Sequence, residues 1–331
     1  MRLGYSPGGG RTGAQVLAAA AAAERLGLDE LWISEDYLER GGFAVAGAVA
    51  AQTSTLTVGL GVVNPSTRHP ALIAMEFAAL DELSGGRAVL GLGTSNRFWM
   101  TDLLGLPFDR PLSRLTEAVR LIRALLRGEP VEHDGDFFRV AAGLSFRPLR
   151  SDPPIVLGVK GDRALRASAG LADGVLLPVL SSPAYIRWAA DRVGDAGLTG
   201  YVVFGCGPDR DAVRAQAKLP VAHYLGLHGT HPVTAIAGLD PELGKVFADR
   251  MRAGDPAVEL VTDQILDTFA VVGDRDDCAA GLAALAGSGL HTAVLTDDAE
   301  ADPASTLRLF TECAREAASH ADQSGPRPVP S

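Results

Sequence analysis

Short apolar runs alternate with longer amphipathic ones along most of this chain. The short runs read as strands at Arg2–Tyr5, Glu30–Ser34, Thr57–Val63, Ala88–Gly93, Pro154–Val159, Gly174–Pro178, Gly200–Cys206 and His291–Leu295. Between them, apolar residues recur at helical spacing, most plainly at Leu112, Leu115, Val119, Ile122, Leu125 and Leu126, closed by Gly128. Thr12, Pro70 and Ser182-Pro183 mark helix starts, and Gly85-Gly86 marks a helix stop. Strands that alternate with helices pair in parallel. Eight such units predict an α/β fold, a (β/α)8 TIM barrel. A doubly wound open sheet is the other arrangement this alternation allows. The glycine-rich loops lack a GxGxxG with an acid about 20 residues on, which argues against a Rossmann dinucleotide site.

Two segments interrupt the rhythm. Residues 129–153 hold Val131–His133, an Asp134-Gly135 turn and Phe137–Val140, which reads as a small hairpin insertion. Residues 222–268 read as a mainly helical insertion before the last strand. The barrel domain is expected over 1–319, with 320–331 as a disordered tail carrying Pro326, Pro328 and Pro330.

Composition sharpens the class. The chain has 331 residues, of which 47% are hydrophobic and only 6% aromatic, so its core must be built mostly from Ala, Leu and Val. A formal net charge of -10 without a basic run excludes nucleic acid and anionic membranes as expected partners. The alanine run at 18–23 is broken by Glu24-Arg25 and fits an amphipathic helix better than an export signal. No apolar run approaches the roughly 20 residues of a membrane span. Cys206, Cys278 and Cys313 stand isolated in sequence, form no CxxC and make a poor disulfide framework. A reducing, cytoplasmic setting follows.

In a barrel the chemistry belongs at the C-terminal ends of the strands. The third strand ends in Gly59-Leu60-Gly61-Val62-Val63-Asn64-Pro65, where glycine removes bulk and a flat ligand can meet bare backbone. The second ends in an adjacent carboxylate pair, Glu35-Asp36, which serves as a proton donor or acceptor, holds a ligand hydroxyl, or is a plain surface loop. After the fourth come Thr94, Ser95, Asn96 and Arg97. After the fifth come Lys160, Gly161, Asp162 and Arg163. Lys160 is one of only three lysines, and this loop reads either as an anion site or as a solvated helix start with Asp162 as N-cap. His223, His228 and His231 have neither an HExxH nor paired cysteine ligands, so no metal is expected. No GxSxG nucleophile elbow occurs.

Six stretches stand out together: Leu31-Trp32-Ile33-Ser34-Glu35-Asp36-Tyr37, residues 59–70, Leu80-Asp81-Glu82-Leu83-Ser84-Gly85-Gly86-Arg87, Gly91-Leu92-Gly93-Thr94, Gly158-Val159-Lys160-Gly161 and Ala172-Asp173-Gly174. In this order and at these spacings they resemble the luciferase-like flavin and deazaflavin oxidoreductases, and within them the coenzyme F420-dependent branch. The resemblance covers roughly residues 1–300. It implies a cis peptide at Gly61-Val62, a deazaflavin ring over that bulge, a cofactor phosphate near the strand-five loop, and hydride transfer between the ring and a small organic substrate. The cofactor-binding residues it implies are Gly61, Val62, Val63, Asn64, Gly93, Thr94, Val159, Lys160, Gly161, Asp162 and Arg163. The implied catalytic residues are Asp36, Glu35 and Asn96. Several family members carry Asp-His after strand two. Here Asp36 occupies the histidine's position, and Asn96 stands where members carry an acid. The resemblance also implies a homodimer. An FMN-dependent monooxygenase of the same superfamily is the alternative activity, and a non-catalytic flavin-binding protein is the third reading.

Overall fold

The computed structural model describes residues 1–297 and 302–323, with side chains as far as residue 319. In chain order the strands are β1 (Arg2–Ser6), β2 (Glu30–Ile33), β3 (Thr57–Val63), β4 (Ala88–Gly93), β5 (Val131–Asp134), β6 (Arg139–Ala142), β7 (Ile155–Gly158), β8 (Gly174–Leu177), β9 (Gly197–Cys206), β10 (Val271–Gly273) and β11 (Thr292–Thr296). The helices are α1 (Gly13–Arg25), α2 (Gly42–Gln52), α3 (Pro70–Ser84), α4 (Pro111–Leu126), α5 (Asp162–Ser168), α6 (Pro183–Val193), α7 (Arg210–His228), α8 (Pro232–Ala235), α9 (Pro241–Arg252), α10 (Asp263–Phe269), α11 (Arg275–Gly287) and α12 (Pro303–Gln323).

Eight parallel strands close a barrel in the order β1-β2-β3-β4-β7-β8-β9-β11 and back to β1. These are the eight strands expected from the sequence, and the open-sheet alternative falls away. β10 was not anticipated: its three residues pair only with the far end of β9, outside the ring. Such a run is too short for a periodicity to register.

The barrel interior explains several motif residues. Trp32, Val62, Val89, Val156, Leu176, Tyr201 and Val294 pack together there, one from each strand except β1. β1 places Gly4, where a Cβ would stand 3.0 Å from Val294 Cγ2. The indole of Trp32 fills the space over Gly59, and its Nε1 donates to Glu30 Oε2 at 2.8 Å. Val62 is admitted by Gly93 and Gly158, whose Cβ positions would lie 2.5 and 2.7 Å from its methyl groups. The hydroxyl of Tyr201 occupies the side of Gly61. Trp32 therefore takes the space that was expected to be bare at Gly59, while Tyr201 takes the Cβ side of Gly61, whose backbone still lines the cavity at the barrel mouth.

The opposite, N-terminal end is held by arginines. Arg87 donates to the carbonyls of Ala50 (2.9 Å), Thr53 (2.8 Å) and Leu56 (2.6 Å), satisfying acceptors where α2 ends and its chain runs on to β3. Arg150 embraces buried Asp81 with two nitrogens, one at 2.9 Å, and also donates to Ala88 O at 2.7 Å. Gly85 and Gly86 adopt positive φ (67° and 83°) as α3 turns into β4.

The β5–β6 hairpin is fastened by Glu117 of α4, whose carboxylate accepts from the backbone N–H of Phe137 and Phe138. Its second strand runs two residues later than the sequence suggests. The helical insertion begins earlier than residue 222. α7 is one 19-residue helix started by Asp209, and Pro220 sits within it. α7 packs on α9 at glycines: a Cβ on Gly226 would meet Met251, and one on Gly244 would come 2.8 Å from Gly229 O. α12 continues to Gln323, so residues 320–323 of the expected tail are helical, and the rest of that tail lies outside the described residues. No helix among the described residues is long and apolar enough to cross a membrane.

Candidate functional site

At the C-terminal end of the barrel the loop after β1 folds over the mouth. It is tied to the end of β11 through buried Asp297, which accepts from Tyr5 Oη (2.8 Å), Gly8 N (3.1 Å) and Arg11 Nη2 (2.7 Å). Beneath it opens a cavity of about 210 Å³, lined among others by Ser6, Asp36, Gly61, Val179, Tyr201 and Tyr224. A second cavity of about 220 Å³ adjoins it and runs along residues 35–41 to Asn64, Thr67 and Arg68. Asp36 lines both.

β3 carries the bulge at this end. Its register against β4 shifts between Leu60 and Val63, and the Gly61–Val62 peptide bond is cis, as the resemblance implied. Tyr201 Oη donates to Gly61 O at 3.1 Å and so holds the bulge from across the barrel. Burial first, and then the negative charge of Asp36, push the Tyr201 phenol well above its ordinary pKa, and the same two causes raise Tyr224. Both phenols stay protonated; Tyr201 spends its one O–H on the Gly61 carbonyl.

The expected catalytic residues separate. Asp36 faces the cavities and has no ion pair among the described residues. Glu35, one residue earlier, turns into a pair with Arg68 at 2.8 Å, and Arg68 also reaches Glu76 at 3.3 Å. Burial raises the Glu35 pKa, against the lowering effect of Arg68. Asn96 is exposed, its Oδ1 accepts from Trp99 N at 3.1 Å to start a π-helical turn at Phe98–Leu103, and it lines neither cavity.

The expected cofactor residues also divide. Asn64 is buried and spends its side chain on the loop: Nδ2 donates to Tyr37 Oη (2.7 Å), and Oδ1 accepts from Ser66 N (2.9 Å). Val63 is fully buried in the core, and Thr94 is half-buried with its carbonyl 3.4 Å from Asn64 Nδ2. Gly61, Val62 and Gly93 form the bulge and its bed.

At the exit of β7, the fifth strand of the barrel, Val159 is buried and Lys160 half-buried. Lys160 has no carboxylate partner among the described residues. Its nearest polar neighbour is His228 Nδ1 at 3.5 Å, and burial lowers its pKa. His228 Nε2 lies 2.9 Å from Val179 O, on the cavity wall. Burial, then the charge of Lys160, hold His228 down at about 3 and His231 at about 4. His231 Nε2 stands 4.0 Å from where a Gly161 Cβ would be. Asp162 is not an N-cap: it is the first residue of α5, capped by Gly161, and its exposed carboxylate pairs with Arg192 (2.7 Å) and Arg166 (3.1 Å). Arg163 is exposed on the same turn.

Sequence reasoning passed over Tyr201 and Asp297 as site residues. Tyr201 lies mid-strand in an apolar run and reads as core, although a phenol among aliphatics was a usable signal. Tyr224, His228 and His231 stand in the insertion but cannot be joined to Lys160 from sequence, because only the fold brings α7 and the start of α8 over the mouth.

Known proteins bear on this geometry. A sequence profile described as luciferase-like monooxygenase matches residues 2–292. The chain belongs to this family. Among its relatives, the 5,10-methylenetetrahydromethanopterin reductase of Archaeoglobus fulgidus is 30% identical over 310 residues, covering 87% of this chain and 91% of the relative. A putative coenzyme F420-dependent oxidoreductase of Mycobacterium tuberculosis is 29% identical, covering 83% of this chain and 88% of its own. The solved structure of the coenzyme F420-dependent tetrahydromethanopterin reductase from Methanopyrus kandleri superposes with a TM-score of 0.85 at 25% identity, over 96% of this luciferase-like chain and 99% of the reductase.

Proposed function

We propose that this chain is a coenzyme F420-dependent oxidoreductase that moves a hydride between the deazaflavin and a small organic substrate. The observation that carries the proposal is the near full-length likeness to reductases named for that cofactor, in sequence and in fold. The mouth suits such a ligand. Lys160 is a half-buried cation without a carboxylate partner among the described residues, flanked by His228 and His231, and an anionic group completes it. α5 is only seven residues long and already carries Asp162 in its first turn, so the anion reading rests on Lys160 and not on helix polarity.

In this reading Lys160, Gly161 and His231 hold the cofactor's phosphate, and Arg163 offers charge to further acidic groups. Gly61, Val62 and Gly93 back the flat ring. When bound, the deazaflavin supplies the hydride donor or acceptor. Tyr201 fixes the Gly61 carbonyl, Asp297 closes the β1 loop over the cavity and limits water, and Asp36 gives or takes the proton, with Tyr224 as a neighbouring donor. Glu35 positions the loop through Arg68 and is not assigned to proton transfer. Asn96 is likewise left out, since it caps a turn.

The test is anaerobic mixing with reduced F420 deuterated at C5 and a panel of carbonyl, imine and activated-alkene acceptors. Acceptor-dependent oxidation of the cofactor, with deuterium in the product, supports hydride transfer. Tight binding without turnover or label transfer across the panel returns the chain to a binding role. The expected cytoplasmic location rests on the three free thiols, and the expected homodimer on the resemblance; light scattering of the purified chain tests the latter.

A further inference from the structure

The three cysteines, scattered over more than 100 positions, converge. Cys206 ends β9, Cys278 lies on α11 and Cys313 on α12. Their sulfurs all stand within 4.8 Å of one another, and Cys206 Sγ is 3.8 Å from Cys313 Sγ. Cys278 and Cys313 are fully buried, Cys206 half-buried, and all three are free thiols. This corrects the picture of isolated cysteines, which local spacing alone could not reveal. The cluster shares no lining residue with the mouth cavities.

The spacing has a chemical meaning. Three thiolates at a metal–sulfur bond of about 2.3 Å stand about 3.8–4.0 Å apart in tetrahedral or trigonal arrangement. The cluster needs to tighten by less than 1 Å to reach that geometry. Thiolate ligands select soft closed-shell cations over hard ones. A path in exists too: Cys206 lines a separate cavity of about 610 Å³ with Pro208, Asp274, Arg275 and Leu309. That cavity leaves a fourth position open on the Cys206 side. Without metal, Cys278 Sγ meets backbone carbonyls, Gly205 O at 3.3 Å and Val271 O at 3.9 Å.

We propose that Cys206, Cys278 and Cys313 form a site for one soft d10 cation, Zn²⁺ or Cu⁺, remote from the barrel mouth. Binding forms three metal–sulfur bonds and releases the thiol protons to solvent, with no change of oxidation state.

The test uses the full, reduced, chelator-washed chain. Native mass spectrometry after addition of Zn²⁺, and separately of Cu⁺ under anaerobic conditions, should show one ion per chain in at least one arm, and the arms tell the two cations apart. Titration with Cd²⁺ should produce a thiolate-to-metal charge-transfer band that saturates at one equivalent. Cys206→Ser, at the least buried position, should weaken binding by roughly 100-fold, beyond the effect of losing an outer partner, while F420 affinity stays unchanged. Absence of the Cd²⁺ band in the reduced wild-type chain overturns the proposal without relying on any variant. So does unchanged affinity in Cys206→Ser, or a chain that forms a Cys206–Cys313 disulfide in air yet takes up no metal when reduced.

Discussion

The two ends of the barrel use cationic side chains in opposite ways. At the N-terminal end, Arg87 is saturated by the carbonyls of Ala50, Thr53, Leu56 and Ser84 and the hydroxyl of Thr53, and Arg150 is paired with the carboxylate of Asp81 and the carbonyl of Ala88. At the mouth, Lys160 lies half-buried with two neutral imidazoles near it and no carboxylate among the described residues. A buried charge without a partner is costly. In the function proposed above, Lys160 is completed by the cofactor's anion, whereas a saturated arginine is complete in itself. The same contrast separates neighbours at the mouth, where Glu35 is tied to Arg68 and Asp36 is not.

Four perturbations sharpen or break this contrast. The largest effect is expected at Asp36. Asp36→Asn should lower turnover by roughly 10²–10⁴ while cofactor affinity holds, and Glu35→Gln should change turnover little. Steady-state kinetics with both variants reads this, and an equal loss in the two would erase the distinction between them.

Next is Arg87→Met, which leaves the carbonyls of Ala50, Thr53 and Leu56 without that donor. A loss of at least about 3 kcal/mol in unfolding free energy is expected, at roughly 1–3 kcal/mol for each of these three carbonyls, with F420 affinity intact. Denaturant unfolding and cofactor titration on the same sample check it.

Lys160→Ala should do the reverse. Cofactor affinity falls about ten- to hundredfold, as for a charge-assisted contact of roughly 1.5–3 kcal/mol, and unfolding stability stays level or rises.

The smallest effect is in pH. His228 and His231 have folded pKa values, about 3 and about 4, below the ordinary histidine value of 6.5. The unfolded chain therefore binds more protons, and stability is lost as pH falls from about 6.5 toward 4. The slope is at most about 1.4 kcal/mol per pH unit per imidazole, and solvent at these half-buried rings reduces it. His228→Gln should flatten the stability profile between pH 6.5 and 4; an unchanged profile would mean the ring protonates freely in the folded chain.

Much of the frame is legible because it is local. Strand periodicity, Pro70, Ser182 and the Gly85-Gly86 stop act within a few residues, and each appears where the pattern puts it. The site is legible only in part, because its groups meet through the fold. Lys160 stands out as a rare lysine, but its want of a counter-ion depends on what α7 brings over it. Gly59 reads as open backbone until Trp32, 27 positions earlier, is seen to fill it. Tyr201 reads as core until its hydroxyl is found on the carbonyl of Gly61. The thiol cluster has no local signature at all.

The most direct test of the central claim is a parallel titration of the purified chain with oxidised F420 and with FMN, followed by tryptophan fluorescence. Trp99, its ring 5.6 Å from that of Tyr37 near the mouth, serves as the reporter. Saturable quenching by F420 at a concentration where FMN has no effect, weakened in Lys160→Ala, is the result expected of an F420 enzyme with its anion held at the exit of β7. Tight FMN binding with no response to F420, or an F420 response indifferent to Lys160→Ala, would contradict it.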